Sequence, residues 1–247
     1  MADASREDVL AQVRSGVPVE GSLLGRFDLQ GADLRGARVV NGSLAGRDLS
    51  GSDLRGAIFT NVELAGVRLG KANLAGATFL GLSLQNADFT EADLSQARLV
   101  GSDLRQAVFA RANLTGAELA GAQLGRADFS GANLTSALLI QADLSGSTLR
   151  KARLEKTVLF YANLQQADLD GSIFGGTQLS GANLTGTKLP REGLGGTRSQ
   201  LAKTVLTGVD LSGRNLEGLD LSRAKLEGAS FAGSKLASAR LKGASLG

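Results

Sequence analysis

The stretch KANLAGATFLGLSLQNADFTEADLSQARLV, residues 71–100, decides the architecture. Leu74, Phe79, Leu84, Phe89, Leu94 and Leu99 stand five apart, and two places before each stands Ala, with Leu82 the exception. Between the small residue and the large one sits Asn, Asp, Ser, Thr or Arg. Five matches neither the helical period of 3.6 nor the strand period of 2. An α-helix would smear these side chains around its whole circumference. A chain that turns a corner every five residues instead brings each of them to the inside of a coil, with the small residue fitted beside it.

The spacing runs unbroken from Val19 to Leu189, through 35 positions that are all Leu, Phe or Val. It predicts a solenoid whose coils stack at the strand spacing of roughly 4.8 Å. The A-[D/N]-L-x-x pattern of GADLR (31–35), KANLA (71–75), EADLS (91–95) and GANLT (131–135) resembles the pentapeptide-repeat family. That resemblance implies an all-β fold, a right-handed quadrilateral parallel β-helix with four pentads to a coil. The sequence carries its own check on the number four. Phe89, Phe109 and Phe129 lie 20 apart, as do Phe59 and Phe79, so identical rings should stack in columns.

The frame breaks once, at LPREGLGGTRSQ (189–200), and inward positions then follow from Leu211 through Leu216, Leu221, Leu226, Phe231, Leu236 and Leu241 to Leu246. SGVPVEGSLLGRFDL (15–29) aligns without gaps on TGVDLSGRNLEGLDL (207–221). Upstream, Ser5 falls against Thr197, and Val9 and Val13 against Leu201 and Val205. Each copy reads as a helix start, with Ser5 or Thr197 as N-cap, apolar residues four apart and Gly16 or Gly208 as the stop. Asp8 adds a capping box to the first. Two tandem solenoids are expected: a capping helix over 1–18, the main β-helix over 19–190, a linker with a second capping helix over 191–208, and a short second repeat segment over 209–247. Solenoid ends need caps. The second segment shows none after Leu246, so either another molecule covers it or the chain belongs to a longer one.

Composition limits the chemistry. There are 34 Gly and 2 Pro, with no Cys, His or Trp, so the commonest general base and the strongest nucleophile are missing. No disulfide framework or thiolate metal site can form. Asp28, Asp48, Asp88, Asp128 and Asp168 fall in one column, interrupted by Arg68, Val108, Thr148 and Lys188. Asp before an inward Leu reads as a corner residue that accepts backbone N–H bonds. No catalytic residue, cofactor or metal is expected. The first residues, MADASREDVL, show no signal peptide, and no stretch has 18 consecutive apolar residues, so a bacterial, cytoplasmic protein without a membrane span is expected. Residues 1–185 carry 17 Lys+Arg and 19 Asp+Glu, and residues 186–247 carry 10 and 5. Arg150, Lys151, Arg153 and Lys156 cluster without interleaved aromatic residues, so direct nucleic-acid binding is not expected.

One face carries a different signal. In KTVLFYANL (156–164) the frame points Leu159 inward, which leaves Phe160 and Tyr161 outside. Steps of 20 back from Phe160 meet Ile140, Ala120, Val100, Leu80, Thr60 and Val40, and the column before the inward residue adds Ile58, Leu138 and Val158. On the other three faces the column after the inward residue is polar or small. Ile58, Leu80, Val100, Leu138, Ile140, Val158, Phe160 and Tyr161 are therefore the candidate partner-binding residues. Three accounts stand open for this stripe: ordinary strand propensity, cover by a folded-back C-terminal segment, or a protein partner or second copy.

Two functions from different classes follow. The first is a non-enzymatic scaffold, a rigid β-helix docking a protein partner, or forming a homodimer, through the apolar face or the C-terminal end. The second comes from the resemblance, which implies DNA-mimic protection of DNA gyrase or topoisomerase IV against quinolones or peptide toxins. The Asp column and the length fit it, whereas the basic C-terminal quarter does not. A third, type VI secretion accessory or adaptor, rests on the similarity of the opening helix and GVPVEGSLLG to such repeat regions.

Overall fold

The computed structural model describes residues 4–194 and 200–246. Its construction is visible in a single pentad, Asp93–Ala97. The Asp93 N–H donates to the Ala72 carbonyl of the coil before (2.9 Å), and the Leu94 N–H to the Asn113 carbonyl of the coil after (2.7 Å). The Ser95 N–H turns back to Asp93 Oδ1 (3.0 Å). Gln96 N–H reaches the Thr115 carbonyl (2.9 Å), and Ala97 N–H closes the corner on the Leu94 carbonyl (3.0 Å). All five amide donors are satisfied, as a buried backbone requires. Gln96 has a φ of 58°, the left-handed value such a corner needs at its third residue. Among the described residues eighteen that are not glycine adopt it, mostly Asn, Gln, Lys and Arg, and glycine takes most of the other corners.

Parallel bridges recur at 20 residues, as in Asn73 to Asp93 to Asn113, and build a right-handed, four-sided β-helix. Regular elements are brief: α1 (Arg6–Arg14), β1 (Val19–Glu20), α2 (Gly21–Leu24), β2 (Arg38–Val40) and β3 (Ile58–Thr60), with β1, β2 and β3 parallel. Ser5 caps α1, and the capping box with Asp8 is complete. Val9, Leu10 and Val13 close the first coil. None of the 35 inward residues from Val19 to Leu189 is more than 4 % exposed. Fully burying each Leu contributes about 1.5–3 kcal/mol. The phenylalanines stack as their spacing requires, with centroids 4.7 Å apart for Phe59–Phe79, 4.9 Å for Phe89–Phe109 and 4.8 Å for Phe109–Phe129.

The second helix is not formed where the duplicated pattern places it. Thr197 and Arg198 lie outside the described residues, but from Gln200 onward the chain is already coil. Leu201 and Leu206 are fully buried, while Val205 bridges Asn183 above and Lys225 below. The five-residue spacing of Leu201, Leu206 and Leu211 outcompetes the four-residue spacing of Leu201 and Val205, because the coil pairs strands that a helix would leave open. Gln178 pairs with Gln200 and Asn183 with Val205, so the lap that contains the break has 22 residues instead of 20. The C-terminal segment stacks directly on the first and does not fold back over any face.

Arg214 secures this junction. It occupies an inward position two before Leu216, where Ala is usual, and is 9 % exposed. Its guanidinium donates to the carbonyls of Pro190 (3.0 Å), Leu189 (3.1 Å) and Ser212 (3.3 Å). Burial pushes its pKa down, opposed by the charge of Asp210. Arg214→Ala removes all three bonds and leaves a void, so a loss of about 2–4 kcal/mol is expected in urea unfolding.

Ion pairs stitch the surface locally. In Asp103-Leu104-Arg105 both charged residues flank one inward Leu, and Arg105 grips Asp103 with two bonds of 2.9 and 2.6 Å. That hydrogen-bonded guanidinium holds the Asp103 carboxyl at about 2, below its ordinary 3.8. The folded value is the lower one, so the stabilisation is complete above about pH 4 and disappears as pH falls through 2. Asp103→Asn should flatten the dependence of thermal midpoint on pH between 4 and 2, measured by circular dichroism.

Candidate protein-docking face

Each inward residue on one side of the rod, from Val39 to Leu179, is flanked by two residues that face solvent. The column before it runs Arg38, Ile58, Thr78, Arg98, Glu118, Leu138, Val158, Gln178, joined by successive parallel bridges. The column after it runs Val40, Thr60, Leu80, Val100, Ala120, Ile140, Phe160, Ser180, and its carbonyls accept from the coil above, as in Gly121 N–H to Ile140 O (2.9 Å) and Gln141 N–H to Phe160 O (2.9 Å). Seven of the eight candidate residues therefore share one face, and Tyr161 takes the corner that follows Phe160. Ile58 (43 %), Leu80 (44 %), Leu138 (37 %) and Tyr161 (62 %) are exposed. Val100, Ile140, Val158 and Phe160 are half-buried.

The face is less uniform than a continuous stripe. Arg98 and Glu118 pair across it at 3.3 Å, and Thr78 lies beyond them. Two apolar clusters result, Ile58 with Leu80 and Val100, and Leu138 with Ile140, Val158, Phe160 and Tyr161. The small side chain of Ala120 lies between them. Tyr161 is a special case. It takes a left-handed corner at φ 58°, which costs a side chain about 1–2 kcal/mol. Its ring lies over Gly181, where a built Cβ would stand 2.5 Å from both Cδ1 and Cε1. Gly181 itself has φ 75°.

Beyond Gly181 the same face continues through the junction. Gln178 bridges Gln200, and Gly181 N–H donates to Ala202 O (3.1 Å). The face then carries Lys203, Arg223, Arg240 and Lys242, all exposed, with Asp220 among them. Sequence reading missed this extension because the 22-residue lap shifts the frame. The five-residue spacing of Leu201 and Leu206 was the signal that could have found it.

Other candidates are structural. Asp28, Asp48, Asp88, Asp128 and Asp168 each accept the N–H two residues on, at 2.8–3.1 Å, as corner residues should. Among the described residues no group of three or more acidic side chains could hold a metal. Arg150 is held by Asp168 and Asp170, and Arg153 by Glu155. A pocket of about 460 Å³ opens between residues 170–174 and Pro190–Gly193, beside exposed Ile173, where the break leaves a strand uncovered. No helix among the described residues is long and apolar enough to cross a membrane.

The family profile described as pentapeptide repeats matches in eight copies over residues 43–176 and 204–243. The chain belongs to the pentapeptide repeat family. It is similar to HetL, a pentapeptide repeat protein involved in heterocyst differentiation regulation from the cyanobacterium Nostoc sp. strain PCC 7120, with 33 % identity over 98 % of this chain and 97 % of that one and a TM-score of 0.43. It shares its fold with full-length QnrB1, a plasmid-mediated fluoroquinolone resistance protein, at 19 % identity, 82 % and 92 % coverage and a TM-score of 0.52. No curated protein sequence matches it.

Tyr161 is the only Tyr and there is no Trp, so intrinsic fluorescence reports this face alone. Gly181→Ala should displace the ring, changing its emission anisotropy, and destabilise the fold by about 1–2 kcal/mol.

Proposed function

We propose that this pentapeptide-repeat β-helix is a non-enzymatic scaffold that docks a protein partner through the face bearing Ile58, Leu80, Val100, Leu138, Ile140, Val158, Phe160 and Tyr161. The supporting observation is the clustering of those eight residues on one face and its corner while the frame positions behind them are fully buried. Their side chains add nothing to the core, so their apolar character is free to serve contact with another molecule. Of the two alternatives, cover by a folded-back segment is excluded by the direct stacking at Gln200 and Val205. Strand propensity alone would act on all four faces, yet the columns elsewhere are polar or small apart from Val108 and Ile173.

The duplex-mimic alternative calls for an acidic surface. Net charge is +3, and many of the Asp residues are gripped by Arg neighbours, as at Asp33, Asp53 and Asp103. Similarity to QnrB1 at this identity speaks for the fold alone.

Ile140→Asp with Phe160→Asp should leave the thermal unfolding curve within a few degrees of the parent and abolish partner capture and any self-association. Ser145→Asp, on a different face, is the control. Pull-downs from host extract and light scattering read the result, and a double variant that captures and associates like the parent overturns the proposal.

A further inference from the structure

The apolar clusters and the basic coils form one continuous face with two different ends. Resting on the docking face above, we infer that its occupant is itself two-ended: a partner segment that lays apolar side chains along Ile58 to Tyr161 and acidic ones over Lys203, Arg223, Arg240 and Lys242.

Three observations lead there. Continuity comes first: the bridge from Gln178 to Gln200 and the bond from Gly181 N–H to Ala202 O carry the face across the break without a change of side. Below it, Lys203 N–H donates to Ser222 O, Arg223 N–H to Lys242 O, and Asp220 bridges Arg240, which keeps the four cations on the same side of the rod. Charge comes second. Four cations stand against one carboxylate, Asp220, whose own pKa is lowered first by Ser222 and only weakly by Arg240. None of the four is ion-paired among the described residues; higher on the face Arg98 is matched by Glu118, and Arg38 is a single cation beyond the apolar run. Exposed unmatched charge of one sign steers and orients an oppositely charged partner.

Area and register come third, and they argue against a second copy. One side of the rod is about 10 Å wide, and the apolar run from Val40 to Phe160 covers six steps of ~4.8 Å, so it presents roughly 300 Å². A stable interface takes about 800 Å² from each partner. The basic coils add four more steps, about 190 Å², so the whole face offers roughly 490 Å², the size of a weak, transient contact. An antiparallel second copy that sets apolar run on apolar run would carry the coils of Lys203, Arg223 and Lys242 to the partner's first coil and past it. A parallel copy would set like charges together. Only a different molecule with an acidic end uses the whole face.

The chain has no Cys, so single introduced cysteines mark position cleanly. The probes are two fluorescent peptides with the same alternating Val–Ser run, one ending in a run of glutamates and its twin in lysines. Fluorescence anisotropy should show the glutamate peptide binding at least about tenfold tighter. That preference should vanish in ~1 M salt and in the variant Lys203→Gln, Arg223→Gln, Arg240→Gln, Lys242→Gln. A bromoacetyl group at the glutamate end should alkylate Ser222→Cys and spare Thr60→Cys. Equal affinity of the twins, abolished by Ile140→Asp with Phe160→Asp, would leave the docking face standing and overturn the acidic end. Glutamate-peptide binding that survives those two aspartates would overturn the apolar face instead. Binding of neither peptide, or alkylation at Thr60→Cys, overturns the inference.

Discussion

Everything in this molecule depends on placing five amide donors in five residues. In each pentad two N–H groups serve the sheet, one serves the next coil's corner and one closes the turn. The fifth, two places after the residue that precedes the inward one, has no backbone acceptor left and takes a side-chain oxygen wherever that residue is Asp or Asn. Asp93 supplies it to Ser95, and Asp48, Asp88 and Asp128 do the same elsewhere. Where a backbone turns so tightly and so often, an orphaned buried donor costs about 1–3 kcal/mol, an amount comparable with what one buried Leu returns. The polar residue at that position is thus structural before it is anything else, and the acidic columns lose their appearance of a site.

A rod assembled this way is filled along its axis. Its inner space is filled by Leu, Phe and Ala to within a few per cent exposure, and successive laps are tied by backbone bonds of 2.6–3.2 Å. What varies between laps is the outward pair beside each inward residue. Function in such an architecture is therefore written as columns, and a column is read by adding 20 until the frame breaks. The face described here is legible in that manner because Leu80, Ile140 and Phe160 obey the rule.

Much of this could be taken from the sequence. The five-residue spacing identified every inward position of the main segment, the phenylalanine columns fixed the lap, and Ser5 with Asp8 marked the start of α1. The left-handed corners were not read, although 34 glycines were waiting for that explanation. Two errors had physical causes. The likeness of residues 15–29 to 207–221 pointed to a second capping helix, but the first copy begins on nothing and the second adds to an existing coil, so the same pattern meets different partners. The stripe looked continuous because the column before the inward residue was sampled at Ile58, Leu138 and Val158, passing over Arg98 and Glu118. Arg214 was invisible as a junction residue, since no spacing rule says that a cation will replace Ala beside a core Leu.

The 22-residue lap has an evolutionary meaning. The lap is two residues longer than the others, and the strands of Gln200 and Val205 still resume directly beneath Gln178 and Asn183. The floors below keep the alignment of those above. Material can thus be inserted at that landing, or removed from it, without rotating the lower storeys relative to the upper ones, so that corner can diversify while the long face keeps its alignment.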